Sequence, residues 1–203
     1  MIALVHSPVR NREMSVQNPG PAAELTEPKS PFDVARPDPP RQEEPDQVMA
    51  RNIAGVRFER LPGHHDHRGA LYPFLDFARP FWSEPVVHGY VFTIRPGRIK
   101  GWGMHKRQAD RYFVLSGNLR VALYDGREES PDRGHFCEFF FTPATTGLLF
   151  IPPGVWHATQ NWGRSLGRIA NFPTVRFDPE DPDKYRVDPH ADTIPFDWGL
   201  RDF

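Results

Sequence analysis

Apolar residues in this chain fall in short runs with a period of two. Residues 53–60 alternate, with Ile53, Val56 and Phe58 set between polar or small positions. Similar runs occupy residues 70–75, 90–95, 111–115, 119–124, 139–141, 147–151, 155–161 and 167–172. Glycine, proline, asparagine or aspartate bounds most of them. Runs of this length, period and boundary chemistry predict β-strands. Strands repeated at roughly 8–12-residue spacing predict an all-β sandwich or barrel. The segment Ser116-Gly117-Asn118 between the runs 111–115 and 119–124 predicts a hairpin.

The run 147–151 leads into Pro152-Pro153-Gly154. That triplet removes two backbone donors and supplies a flexible turn residue, so it ends one strand and starts another. The following strand presents Val155 and His157 on one face and Trp156 and Ala158 on the other. Upstream, His105 stands before the run that begins near Asp110.

The first 50 residues have a different texture. Nine of the 23 prolines fall there, and no helical or alternating period survives. Such a segment buries too little apolar area to offset its ordering entropy. The expectation is a disordered, Pro-rich arm over residues 1–50 and one domain over residues 51–203. From residue 177 to the end, repeated Asp-Pro pairs predict irregular loops with one or two short helical turns.

A formal net charge of −1 gives no reason to expect a nucleic-acid or membrane partner. The single cysteine, Cys137, excludes an internal disulfide framework and a multi-cysteine metal site. Its apolar surroundings predict a buried, inert thiol. No apolar run approaches the roughly 20 residues of a membrane-spanning helix, and a soluble cytoplasmic protein is expected. His64, His65 and His67 cluster in one loop. Adjacent histidines without a fixed scaffold seldom converge on one ion, so no metal site is assigned to them.

Gly147, Pro152, Gly154, His157 and Asn161 together resemble the second signature of the cupin barrels, with one residue fewer than usual between Gly147 and Pro152. His105, Asp110 and Gly117 resemble the tail of the first signature, with Gly103 where its first histidine usually stands. Other landmarks resemble one cupin branch, the dTDP-4-dehydrorhamnose 3,5-epimerases. These are Asp66-x-Arg68-Gly69, the strand exit Asp125-x-Arg127-x-x-Ser130-Pro131, and the ending Ile194-x-x-x-Trp198. The resemblance spans residues 53–198. It implies a double-stranded β-helix, the jelly-roll cupin barrel, and a homodimer in which the strand near residues 53–60 pairs with the partner's sheet. It further implies that His105 and His157 share one cavity, within about 10 Å of each other.

Similar epimerases remove a proton next to a ketone on a nucleotide-linked sugar. Trp102-Gly103-Met104-His105 sits on the motif that carries their base. The resemblance therefore makes His105 the base. A similarity to a related cupin group, the sugar 3,4-ketoisomerases, implies instead a one-base proton shuttle by His105, with His157 or Arg111 stabilising the enediolate. It implies substrate-binding roles for Arg68, Trp102, Tyr112 and Asn171. Trp102 stands where the family has an arginine, and either stacks on a sugar face or packs in the core. Asn171 and Phe177 stand where the family has tyrosines, so the usual general acid is absent. Tyr72, Tyr90 and Tyr112 are the alternatives. No cofactor is required on this reading. Two others stay open: a divalent ion held by His105, Asp110 and His157, and a non-catalytic carbohydrate-binding cupin.

Overall fold

The computed structural model describes residues 52–200. The arm expected over residues 1–50 lies outside them. The strands are β1 (Arg57–Arg60), β2 (His64–Asp66), β3 (Gly69–Leu71), β4 (Tyr90–Ile94), β5 (Ile99–Met104) and β6 (Asp110–Ser116). They continue as β7 (Leu119–Asp125), β8 (Phe136–Phe141), β9 (Gly147–Ile151), β10 (Val155–Asn161), β11 (Gly167–Asn171) and β12 (Tyr185–Arg186). One 3-10 turn, Pro80–Trp82, is the only helical element among the described residues. No helix there is long and apolar enough to cross a membrane.

Two five-stranded antiparallel sheets face each other, one ordered β1-β9-β6-β11-β4 and the other β12-β5-β10-β7-β8. The pair β2-β3 stands apart as a small hairpin. This is the jelly-roll expected of a cupin barrel. Its core lies between the sheets. Tyr112, Val114, Leu149, Ile151 and Ile169 come from one side; Leu119, Val121, Leu123, Phe139, Phe141 and Val155 come from the other. Cys137 is buried among them, and burial pushes its thiol up to about 11.

The outer faces are covered as well. Phe81, Trp82, Leu148, Phe150 and Phe113 form an apolar layer on the first sheet. Ile194, Phe196 and Trp198 of the tail cover Trp102, Ala122 and Ala158 on the second. Strands buried on both faces need few polar positions, which is why β7 and β9 read as nearly continuous apolar runs.

Three local expectations are corrected. The runs 111–115 and 119–124 do not form a hairpin. β6 pairs with β9 and β11, whereas β7 pairs with β8 and β10. Ser116-Gly117-Asn118 instead carries the chain from one sheet to the other, so Val114 and Val121 meet across the core. Pro152-Pro153-Gly154 makes the same crossing from β9 to β10. Second, only Arg57–Arg60 of the run 53–60 is strand, and it pairs with β9 of its own chain. Ile53 and Val56 are nevertheless buried in the core. Third, the described residues of the tail form no helix, only isolated turns such as Ala191 N–H to the Asp188 carbonyl; the tail adds β12 to the edge of the second sheet.

Gly117 permits the first crossing. Its φ is +100°, and a Cβ there would lie 2.7 Å from the Gly167 Cα. Gly117→Ala should therefore cost about 1–3 kcal/mol. A urea midpoint that falls at unchanged m-value would register this; an unchanged midpoint would show that the crossing tolerates a side chain.

Candidate active site

The inward positions of β6 and β10 change from apolar to polar at one end of the barrel. Asp110 and Tyr112 of β6 face His157 and Thr159 of β10 across a cavity of about 1000 Å³. Gly103 of β5 lies opposite His157 in register. A Cβ there would sit 3.4 Å from His157 Nε2, in van der Waals contact with the imidazole. His105 follows β5 directly.

Asp110 is the hub. Its side chain is 2% exposed. Oδ2 lies 3.3 Å from His157 Nε2 and 3.6 Å from His105 Nε2. Oδ1 accepts hydrogen bonds from Gln108 Nε2 and Asn171 Nδ2, each at 2.9 Å. The two imidazole rings stack with centroids 5.6 Å apart, inside the expected separation.

His105 Nδ1 is bonded to the Asp183 carbonyl oxygen. A carbonyl only accepts, so Nδ1 carries a proton, and Nε2 is the ring nitrogen turned toward Asp110. Asp183 is itself fixed. Its carboxylate accepts the backbone N–H groups of Lys106, Arg107 and Gln108 at 2.9, 2.7 and 3.0 Å. Partial burial pushes its pKa up, and those three donors outweigh it, leaving the group below its ordinary value.

Burial holds His157 below the usual histidine value; Asp110 opposes that shift, while His105 and Lys184 add to it. Burial also raises Tyr112 well above its ordinary value, helped by the Asp110 charge. Tyr90 is raised for the same two reasons, and its hydroxyl accepts from Asn171 Nδ2 at 2.9 Å.

The cavity thus brings together His105, Asp110, Tyr112 and His157. Four other expected site residues do not behave as expected. Arg111 points away from the cavity because alternation along β6 turns it outward. Its guanidinium donates to the carbonyls of Phe172, Glu84 and Pro85 and lies 5.1 Å over the Trp82 ring. It is fully buried and has no oxyanion to hold. Trp102 borders the cavity but is fully buried, with its ring against Phe196 and Trp198; this is the core alternative rather than sugar stacking. Asn171 is also fully buried and supports Asp110 from behind. Arg68 lies exposed on the β2-β3 hairpin, paired with Asp66 at 2.6 Å, and does not line this cavity.

Of the alternative acids, Tyr90 and Tyr112 line the cavity. Tyr72 instead meets His65 on the hairpin side. Phe177 also lines the cavity. The pattern of the chain pointed to neither Asp183 nor Lys184, both of which line it. They sit in the aperiodic Asp-Pro tail, where no strand or motif signal marks them.

His105, Asp110 and His157 each offer one ligand atom, all within 4.8 Å of one another. That is compact enough for a two-histidine, one-carboxylate metal set. It is the one such cluster found among the described residues.

No family model matches the chain. The spore coat polysaccharide biosynthesis protein SpsL of Bacillus subtilis is 30% identical over 154 residues, covering 72% of this chain and 96% of its own. A probable low-salt glycan biosynthesis epimerase, Agl13 of Haloferax volcanii, is 32% identical over 152 residues, covering 72% and 95%. Among solved structures, a dTDP sugar isomerase from Desulfovibrio desulfuricans is 28% identical with a TM-score of 0.66, covering 72% of this chain and 92% of its own. A dTDP-4-dehydrorhamnose 3,5-epimerase from Bacillus anthracis shares the fold at 15% identity and a TM-score of 0.65, covering 76% and 91%.

The depressed His157 value has a consequence for stability. In the unfolded chain the ring titrates near 6.5. Below that pH, and down to its folded value, the unfolded state binds the extra proton. Stability should therefore fall as pH drops through this window. Thermal unfolding between pH 7.5 and 5 should show a declining Tm, and His157→Gln should flatten the decline. Equal pH slopes in the two proteins would refute the assignment.

Proposed function

Since this chain belongs to the dTDP-4-dehydrorhamnose 3,5-epimerase-like family of cupin-fold sugar epimerases, we propose that His105 is its catalytic base and acts on a nucleotide-linked keto sugar. Nε2 takes the proton from the carbon beside the ketone, and the C–H electron pair moves toward the carbonyl oxygen. The observation that carries this reading is the bond from His105 Nδ1 to the Asp183 carbonyl. It directs the basic nitrogen to the Asp110 side of the ring. The imidazolium that forms then lies beside the Asp110 carboxylate, which offsets its charge.

The return of the proton is where this chain departs from its family. Asn171 has no proton acidic enough to serve at the usual tyrosine position. With His105 as the one base, a proton removed and returned on the same face exchanges with solvent without inverting the carbon. Tyr90 and Tyr112 are the cavity groups that would give inversion instead.

A divalent ion on His105, Asp110 and His157 is a second reading, favoured by the convergence of their ligand atoms. It would occupy the lone pair that base catalysis needs. Metal analysis of the purified protein separates the two.

The reading also takes the protein to be a cytoplasmic homodimer. The exposed edge of β1, where Phe58 is 37% exposed at the end of its sheet, supports the pairing.

In deuterated solvent, a dTDP-linked 4-keto-6-deoxy sugar should exchange its α-proton faster than it inverts. His105→Ala should slow exchange by about 10²–10⁴-fold. Exchange undiminished in the variant would name a different base, and inverted product at the exchange rate would reveal an acid on the opposite face.

A further inference from the structure

Abstraction of the α-proton leaves negative charge on the carbonyl oxygen, and a fixed cation beside that oxygen lowers the barrier. Arg111 cannot supply it, because three carbonyls already hold its guanidinium outside the barrel. The cations that line the cavity are Lys100, Arg107, Lys184, Arg186 and Arg176. Arg107 is paired with Asp181 at 2.7 Å. The Lys100 ammonium lies 5.2 Å over the Phe92 ring.

Lys184 is placed differently. It directly follows Asp183, whose carbonyl holds His105 and whose carboxylate is pinned by three backbone N–H groups. Its own backbone N–H donates to the Pro182 carbonyl at 2.8 Å. The next two residues pair with Met104 and Gly103 in β5. The backbone of Lys184 is thus fixed on both sides, immediately beside the base. Among the described residues its ammonium makes no ion pair.

We propose that the Lys184 ammonium holds the substrate's carbonyl oxygen and takes up the charge that forms there when His105 removes the neighbouring proton. The step balances: the C–H bond breaks, its proton moves to His105 Nε2, and its electron pair becomes the enolate whose oxygen faces Lys184. Return of the proton reverses each change. The electrostatics agree with this placement. Partial burial and the nearby Arg186 and Lys100 charges hold Lys184 below its ordinary value, against the pull of Asp110. Its charge is also felt at His157. Asp110, His157, Arg186 and Lys100 are thus within electrostatic reach of it, in a cavity also lined by His105, Arg107, Asp181, Asp183 and Asp188. Lys184 and His105 line the same cavity, so one bound substrate can meet both.

This inference rests on His105 acting as base, so both are measured together, in the full chain. The assay is α-proton exchange of a dTDP-linked 4-keto-6-deoxy sugar in deuterated solvent, with dTDP binding measured in parallel. Lys184→Met should lower the exchange rate by about 10²–10³-fold and leave the dTDP Kd within a few-fold. In wild type the rate should fall at alkaline pH as the ammonium loses its proton. Lys184→Arg should move that limb to higher pH, since guanidinium stays charged. A smaller loss in Lys184→Met, a loss matched by weaker dTDP binding, or an alkaline limb that arginine does not move would each overturn the assignment. Those results bear on Lys184 alone when wild type exchanges and His105→Ala does not. Absence of exchange in wild type would overturn the base and the lysine together.

Discussion

A carboxylate buried inside an apolar barrel sets the terms for the rest of the site. Removing a charge from water costs several kcal/mol unless partners replace the lost hydration. Asp110 finds four. Gln108 and Asn171 saturate one oxygen, and His105 and His157 face the other. The four come from three places: the loop between β5 and β6, β11, and β10. Satisfying Asp110 therefore requires both sheets to be in register at this end of the barrel. Asn171 also accepts the backbone N–H of Arg111 through Oδ1. Asn171 is thus a structural bracket for the carboxylate.

Much of the barrel was legible because strand period and turn chemistry are local properties. The runs at 90–95, 147–151, 155–161 and 167–172 became strands close to where alternation placed them. Pairing was less legible. Ser116-Gly117-Asn118 has the composition of a hairpin turn, and nothing local says that the strand after it belongs to the other sheet. That choice follows from apolar residues on β6 and β7 burying one another face to face. Alternation placed His157 correctly on its strand, and two signatures pointed to His105. The same alternation, applied from Asp110, would have turned Arg111 outward: positions i and i+1 cannot both face one cavity. Giving site roles to both Arg111 and its neighbour Tyr112 overlooked that constraint. Trp102 fails for a related reason. It faces the outer layer closed by Phe196 and Trp198, a covering that no short motif foretells.

The tail shows why a site can be half-invisible in sequence. Asp183 and Lys184 lie in a stretch with no period, and their roles arise only from where the tail docks. Docking is driven largely elsewhere, by Ile194, Phe196 and Trp198 on the outer face of the second sheet and by the short pairing of β12 with β5. The apolar anchor fixes the path, and the path delivers a carbonyl to His105. This division resolves a conflict that the strands cannot resolve alone. β6 can present Asp110 inward only by turning Arg111 outward, so a carboxylate hub excludes a cation from the adjacent position on that strand. A positive charge near the base must arrive on another segment. On the proposed mechanism the tail supplies it: one docked segment carries both the carbonyl that holds His105 and the lysine proposed to hold the substrate oxygen.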